Sequence, residues 1–170
     1  MNFKIVQTQS CIACEAQKIK IILMKTLLTI LFALFISFSF GQPIDSLKLT
    51  DSEIPTGYSK SDKLLCVTPH ASSFYTQTDL YESFLGKVTK KEFQSFEKKG
   101  DKGSILYFEF EKEFNGQMFL EGLLWGRDSK PTKSEPDEYF AKGNILVIWS
   151  FNLKSEIKQV SKTKATSFLH

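Results

Sequence analysis

An uncharged, largely apolar run extends from Thr26 to Phe40, directly after Lys25, and ends at Ser39-Phe40-Gly41. A positive start, a short apolar stretch of roughly 7–15 residues and small residues before a cut are the parts of a secretory signal. The pattern predicts a signal over residues 24–41, cleaved between Gly41 and Gln42. The competing reading is a membrane anchor, which needs about 20 mostly apolar residues. Lys20 and Lys25 interrupt any such length, so no stable span is expected after cleavage. Met24-Lys25 has the form of a natural start, which makes residues 1–23 an upstream extension.

After the cut the pattern shortens. Residues 42–62 mix Pro43, Asp45, Asp51, Pro55 and Gly57 with scattered apolar positions, and read as a polar arm. Leu64-Leu65-Cys66-Val67-Thr68, stopped by Pro69, reads as a short buried strand. Residues 70–77 read as a polar-aromatic loop. Thr78 opens a short helix to Leu85, with Leu80 and Phe84 on one face and Gly86 as its stop. Thr89-Lys90-Lys91-Glu92 has capping-box spacing, and Phe93 and Phe96 fall three apart, which predicts a second helix ended by Gly100.

The alternation of Leu106, Phe108 and Phe110 with Tyr107, Glu109 and Glu111 is the period of a half-buried strand. Asn115-Gly116 is a hairpin signal, and Met118–Trp125 would return as the partner strand. A two-residue loop would set Phe110 opposite Glu121. A three-residue loop would pair Phe114 with Met118 and Tyr107 with Trp125, and is preferred because it places aromatics across from each other. Arg127 to Glu138 is charged and holds two prolines, so it reads as an exposed loop. Ile145 to Phe151 is almost continuously apolar and reads as a central strand. Residues 154–170 read as a mobile, lysine-rich tail, with one or two helical turns around Ile157 and Val160.

These elements predict an α+β fold in one domain over 63–153. It is a small antiparallel sheet of about four strands, with one or two helices packed on one face.

Charge and cysteine content change this picture in one respect. The whole chain carries 22 basic and 19 acidic residues, but four lysines and one glutamate lie before Gln42, so the remainder is neutral. A nucleic-acid surface wants a basic face, and no such partner is expected. The Cys11-Ile12-Ala13-Cys14 pair lies in the upstream extension and lacks the further ligands of a zinc site. Cys66 is then the one thiol of the exported part, without a partner for an internal disulfide, and reads as a buried free thiol. No metal site and no cofactor are expected.

Candidate chemistry is sparse. His70 follows Cys66 by four residues across Pro69, about 13 Å if extended, and His170 ends the chain. Glu109, Glu111 and Glu113 share one strand face, with Glu121 nearby. Carboxylates at that spacing suit glycoside hydrolysis, and they are the low-ranking catalytic alternative, as a cell-envelope hydrolase. Tyr107, Trp125 and Trp149 would line an aromatic binding groove. The favoured function is an exported, periplasmic or extracellular, non-enzymatic domain that binds a protein, a glycan or a small apolar ligand. A third alternative is a structural envelope protein whose lysine tail meets anionic surfaces.

Overall fold

A computed structural model of the chain describes residues 44–168. The expected signal segment and cleavage point, the expected upstream extension with its cysteine pair, and His170 lie outside the described residues. The sheet is antiparallel and five-stranded: β1 (Ser59–Ser61), β2 (Val88–Lys98), β3 (Asp101–Phe110), β4 (Glu138–Lys142) and β5 (Ile145–Ser150), in the order β1-β2-β3-β5-β4. Four α-helices accompany it: α1 (Pro69–Thr76), α2 (Glu82–Leu85), α3 (Gln117–Trp125) and α4 (Glu156–Phe168), with 3-10 turns at Ile44–Leu47, Asp51–Glu53 and Thr78–Tyr81. The class is α+β.

β3 organises both cores because it is covered on both faces. Ile105 and Tyr107 point to one side, with Phe96, Val147 and Trp149. That side is closed by Ile44, Leu47 and Leu49 and by Ile157 and Ala165 of α4. Leu106, Phe108 and Phe110 point to the other side, with Leu146 and Ile148, and are closed by Phe74 of α1, Leu85 of α2 and Leu120 and Leu124 of α3. Helices therefore cover the second face of the sheet as well as the first.

Several local expectations are corrected. The stretch expected as a helix from Thr89 is strand β2, in register with β3 from Lys90↔Glu109 to Lys98↔Asp101. In a strand, residues three apart face opposite ways, and here Phe96 enters one core while Phe93 packs against the other. Gly100, expected as a helix stop, turns the β2–β3 hairpin at φ +84°, a region glycine enters without cost. The hairpin expected at Asn115-Gly116 is absent: Gly116 instead precedes α3, where its carbonyl accepts from the Leu120 amide at 2.9 Å. Leu120 and Leu124 are one helical turn apart and both buried, while Gly122, which a strand would place on the same face, is exposed. Tyr107 thus faces Glu92 and Val147 across the sheet, not Trp125.

The ends of the domain are also built in. The expected polar arm delivers Ile44, Leu47 and Leu49 to the core and forms edge strand β1. The expected mobile tail is α4 as far as Phe168. Its lysines are used internally. Lys158 is fully buried with its ammonium 2.6 Å from Glu138, Lys162 bonds the same carboxylate, and Lys164 bonds Glu53 and the Lys48 carbonyl at 2.7 Å each. Three lysines that the structural-protein alternative would turn toward anionic surfaces are therefore engaged within the domain. Among the described residues no helix is long and apolar enough to cross a membrane.

Candidate functional site

The expected aromatic groove is not assembled. Tyr107 and Trp149 are buried in the core that α4 closes. Tyr107 donates to Gln94 at 2.9 Å, and the Trp149 indole donates to Ser161 at 2.8 Å. Trp125 packs with the opposite core, its ring 5.6 Å from Tyr139 and its indole donating to the Asp137 carbonyl at 2.7 Å. The sheet separates Trp125 from the other two, so the three cannot touch one ligand. Each aromatic has its polar atom satisfied inside the fold, as a core aromatic does.

The glutamates do not share a strand face. Glu109 lies at the end of β3 and is half-buried, while Glu111 and Glu113 stand exposed on the connection that follows. Glu121, expected nearby, is on α3 and accepts from the Tyr139 hydroxyl at 2.7 Å. None of the four lines the clefts described below.

Residues 64–68, expected as a strand, run across the sheet by a different device. Ser95, Ser104 and Ser150 form a buried row over β2, β3 and β5, each in register with the next. The Leu65 amide donates to Ser104 at 2.8 Å and the Val67 amide to Ser150 at 2.9 Å. Serine hydroxyls thus take the place of a neighbouring strand, and the small side chains let the segment lie close. Cys66 sits between these contacts, partly buried and free. Burial pushes its thiol up to about 11, against weaker pulls from the Ser150 and Ser104 hydroxyls. A nucleophilic cysteine needs the opposite shift, because the thiolate is the reactive form.

Asp137 joins the same network. It is fully buried, accepts from the Thr68 hydroxyl, and lies beside the start of α1, which Thr68 caps through the Ala71 amide at 3.2 Å. Burial holds its carboxyl above the usual range, against hydrogen bonds from Thr68 and Ser150. A group sealed from solvent and bonded to a helix cap orders the fold rather than transferring protons to a substrate. His70 reaches Glu135 at 4.0 Å on the exterior. Among the described residues no group of three histidine, cysteine or carboxylate side chains is placed to hold a metal ion.

Two surfaces remain. On the helical side, Leu80, Phe84 and Met118 are 69%, 61% and 88% exposed. Phe84 stacks on Phe119 at 4.5 Å with ring planes 5° apart, and Tyr81 lies 6.0 Å from the same ring. The patch unites the Thr78–Tyr81 turn, α2 and the start of α3. Gly116 permits this approach: a Cβ there would stand 2.1 Å from a Leu85 methyl and 3.1 Å from the Leu85 Cα. The sequence pattern places Leu80 and Phe84 on one helix face and Met118 in a strand. Nothing in that pattern distinguishes an outward apolar face from an inward one, so the patch was not foreseen.

The second surface is a cleft beside the β2–β3 turn. One part, of about 550 Å³, runs from Cys66 to Asp101 and Asn152. The adjoining part, of about 410 Å³, shares Lys98, Gly100, Asp101 and Asn152 and ends at Lys154, Ser155 and Glu156, where α4 begins. Comparison of the chain with protein-family models, with curated proteins and with solved structures gives no match.

Proposed function

We propose that this chain is an exported, non-enzymatic interaction domain that docks a partner protein on the apolar patch formed by Leu80, Phe84, Met118 and Phe119. Export rests on the lysine-led apolar run before Gly41. The docking reading rests on one observation: Leu80, Phe84 and Met118 are exposed on adjacent elements, with Phe84 stacked on Phe119, which itself packs against the core. Contiguous exposed apolar surface marks an interaction site, and methionine with phenylalanine suits a surface that adapts to its partner.

Charge favours one class of occupant. Residues 78–85 and 113–125, which build the patch, include Asp79, Glu82, Glu113 and Glu121 and no basic residue, in a domain that is neutral overall. The matching partner is a protein segment whose apolar side chains are flanked by lysine or arginine, since complementary charge steers encounter and rejects wrong partners.

The test uses two amphipathic peptides of equal hydrophobicity, one leucine-lysine and one leucine-glutamate, titrated into the protein and followed by backbone amide shifts. The basic peptide should bind at least about tenfold more tightly, weaken with salt and shift residues of the patch. The double substitution Phe84→Ser with Met118→Ser should abolish binding while leaving the melting profile intact, because both side chains are exposed. Equal binding of the two peptides, or shifts elsewhere, refutes the assignment. The export half is checked separately by N-terminal sequencing of the exported protein, which should begin at Gln42.

A further inference from the structure

We propose that the cleft between the β2–β3 turn and the start of α4 binds a small molecule with two ends: an oxyanion, phosphate or carboxylate, at Ser155, and an ammonium at Asp101. Three features of this chain carry the assignment.

Ser155 occupies the cap position of the 13-residue helix α4. Its amide donates to the Asn152 carbonyl at 3.1 Å, and its own carbonyl accepts from the Gln159 amide at 3.4 Å. A cap serine ordinarily turns its hydroxyl onto the amides of the first turn. Here the residue is only 2% exposed, its Oγ has no hydrogen-bond partner among the described residues, and it lines the cleft. A buried hydroxyl left unpaired is costly. The first amides of a helix have no partner within the helix, and its dipole favours an anion at that end. An oxyanion in the cleft satisfies the hydroxyl and meets the uncapped helix end together.

Lysine charge is left over at the same place. Lys98 is committed: it bonds Glu156 at 2.9 Å and lies 4.2 Å over the Tyr58 ring. Lys99 and Lys154 line the cleft and make no ion pair or hydrogen bond among the described residues.

Asp101 favours a ligand with a cationic end over an anion alone. One of its carboxylate oxygens accepts from the Tyr58 hydroxyl, while the other, Oδ1, is buried without a partner. That oxygen needs a donor and would repel a second anion. An ammonium supplies both the hydrogen bond and the charge. The ligand class is therefore a small zwitterion, such as an amino alcohol phosphate or an amino acid.

The decisive experiment titrates the exported protein with three probes: inorganic phosphate, ethanolamine and O-phosphoethanolamine. The two-ended probe should bind at least about tenfold more tightly than either half, the scale of one charge-assisted hydrogen bond. Ser155→Ala should weaken inorganic phosphate and O-phosphoethanolamine alike, again by about tenfold. Asp101→Asn should weaken O-phosphoethanolamine and leave inorganic phosphate unchanged or tighter. The Ser155 hydroxyl bonds nothing and asparagine is isosteric with aspartate, so both variants should melt as the parent does. If either fails to fold, the exposed pair Lys99→Ala with Lys154→Ala reads the same site by its loss of phosphate binding. Phosphatidylethanolamine vesicles, titrated in parallel, separate a lipid headgroup from a free compound. Binding to vesicles alone, equal affinity for whole and half probes, or no binding overturns the proposal.

Discussion

Gly116 and Gly122 sit six residues apart, before and within α3, and Gly→Ala should have opposite signs at the two. At Gly116 an added Cβ would meet Leu85, at 2.1 Å from a methyl and 3.1 Å from the Cα. The methyl can swing, but Leu85 is buried and its Cα belongs to α2, so the two helices must part by several tenths of an ångström. Overpacking of this kind costs about 1–3 kcal/mol. The reduced freedom of the unfolded chain returns about 0.4–1 kcal/mol. The net is a loss of about 1–2 kcal/mol, or roughly 4–8 °C in Tm for a domain of this size. At Gly122 nothing lies within 4 Å of the added methyl, and the position is exposed in the helix interior. Alanine there should stabilise by about 0.5–1 kcal/mol through helix propensity. Both variants are compared with the parent in one thermal melt by circular dichroism. Gly116→Ala should also lower the peptide affinity of the patch, because it displaces Met118 and Phe119 from Phe84. If Gly116→Ala is neutral or stabilising, the close approach of α2 and α3 is refuted. If Gly122→Ala destabilises, the helical assignment of Gln117–Trp125 is refuted.

Three further outcomes follow from buried groups. At pH 8 Cys66 should alkylate on the order of 100-fold more slowly than an ordinary thiol, since its pKa of about 11 leaves little thiolate; a rate profile with its midpoint near pH 8.5 would falsify this. Asp137 is held above its ordinary pKa by burial, so its ionisation costs folding stability; the cost is absent below the ordinary 3.8, grows as pH rises from there toward the folded value, and is constant above it. The stability of Asp137→Asn relative to the parent should therefore increase from pH 4 to pH 8, and chemical denaturation showing a flat or reversed difference defeats the reasoning. Lys158→Ala strands part of the Glu138 charge and should cost about 2–3 kcal/mol, toward the low end for a broken buried pair because Lys162 still bonds Glu138. Lys158→Met keeps the buried stem but strands the same charge, so it should retain most of that loss by urea unfolding; a near-neutral Lys158→Met would mean that the charge is irrelevant.

What could be read without coordinates was set by strong, single-valued patterns. Ile145–Ser150 is a strand because an apolar run too short for a helix and buried on both faces has few other solutions. β3 is legible from its alternation, although Tyr107, which the alternation groups with Glu109 and Glu111, is as buried as its neighbours. The failures came where a local signal was compatible with two periods. Thr89-Lys90-Lys91-Glu92 caps a helix in isolation, but pairing with β3 buried Phe93 and Phe96 on opposite faces. Asn115-Gly116 turns a hairpin in isolation, but here the glycine serves contact with Leu85. β4 escaped notice because Glu138–Lys142 is short and charged at both ends, and its place is won by pairing with β5. The tail was misjudged because Lys158, Lys162 and Lys164 read as solvated charges, whereas their carboxylate partners lie 20 to 111 residues away in the chain.

The sequence by itself determined the class of the fold, its most buried strands, the neutrality of residues 42–170 and Cys66 as the one cysteine of that stretch, because each depends on composition or on a pattern within a few residues. Only the tertiary structure decided which aromatics face inward, that Leu80, Phe84 and Met118 face outward, and that Ser155 and Asp101 share one cleft with an unpaired polar atom each. Those facts depend on which distant segments meet, and a residue's exposure belongs to its neighbours in space as much as to its own side chain.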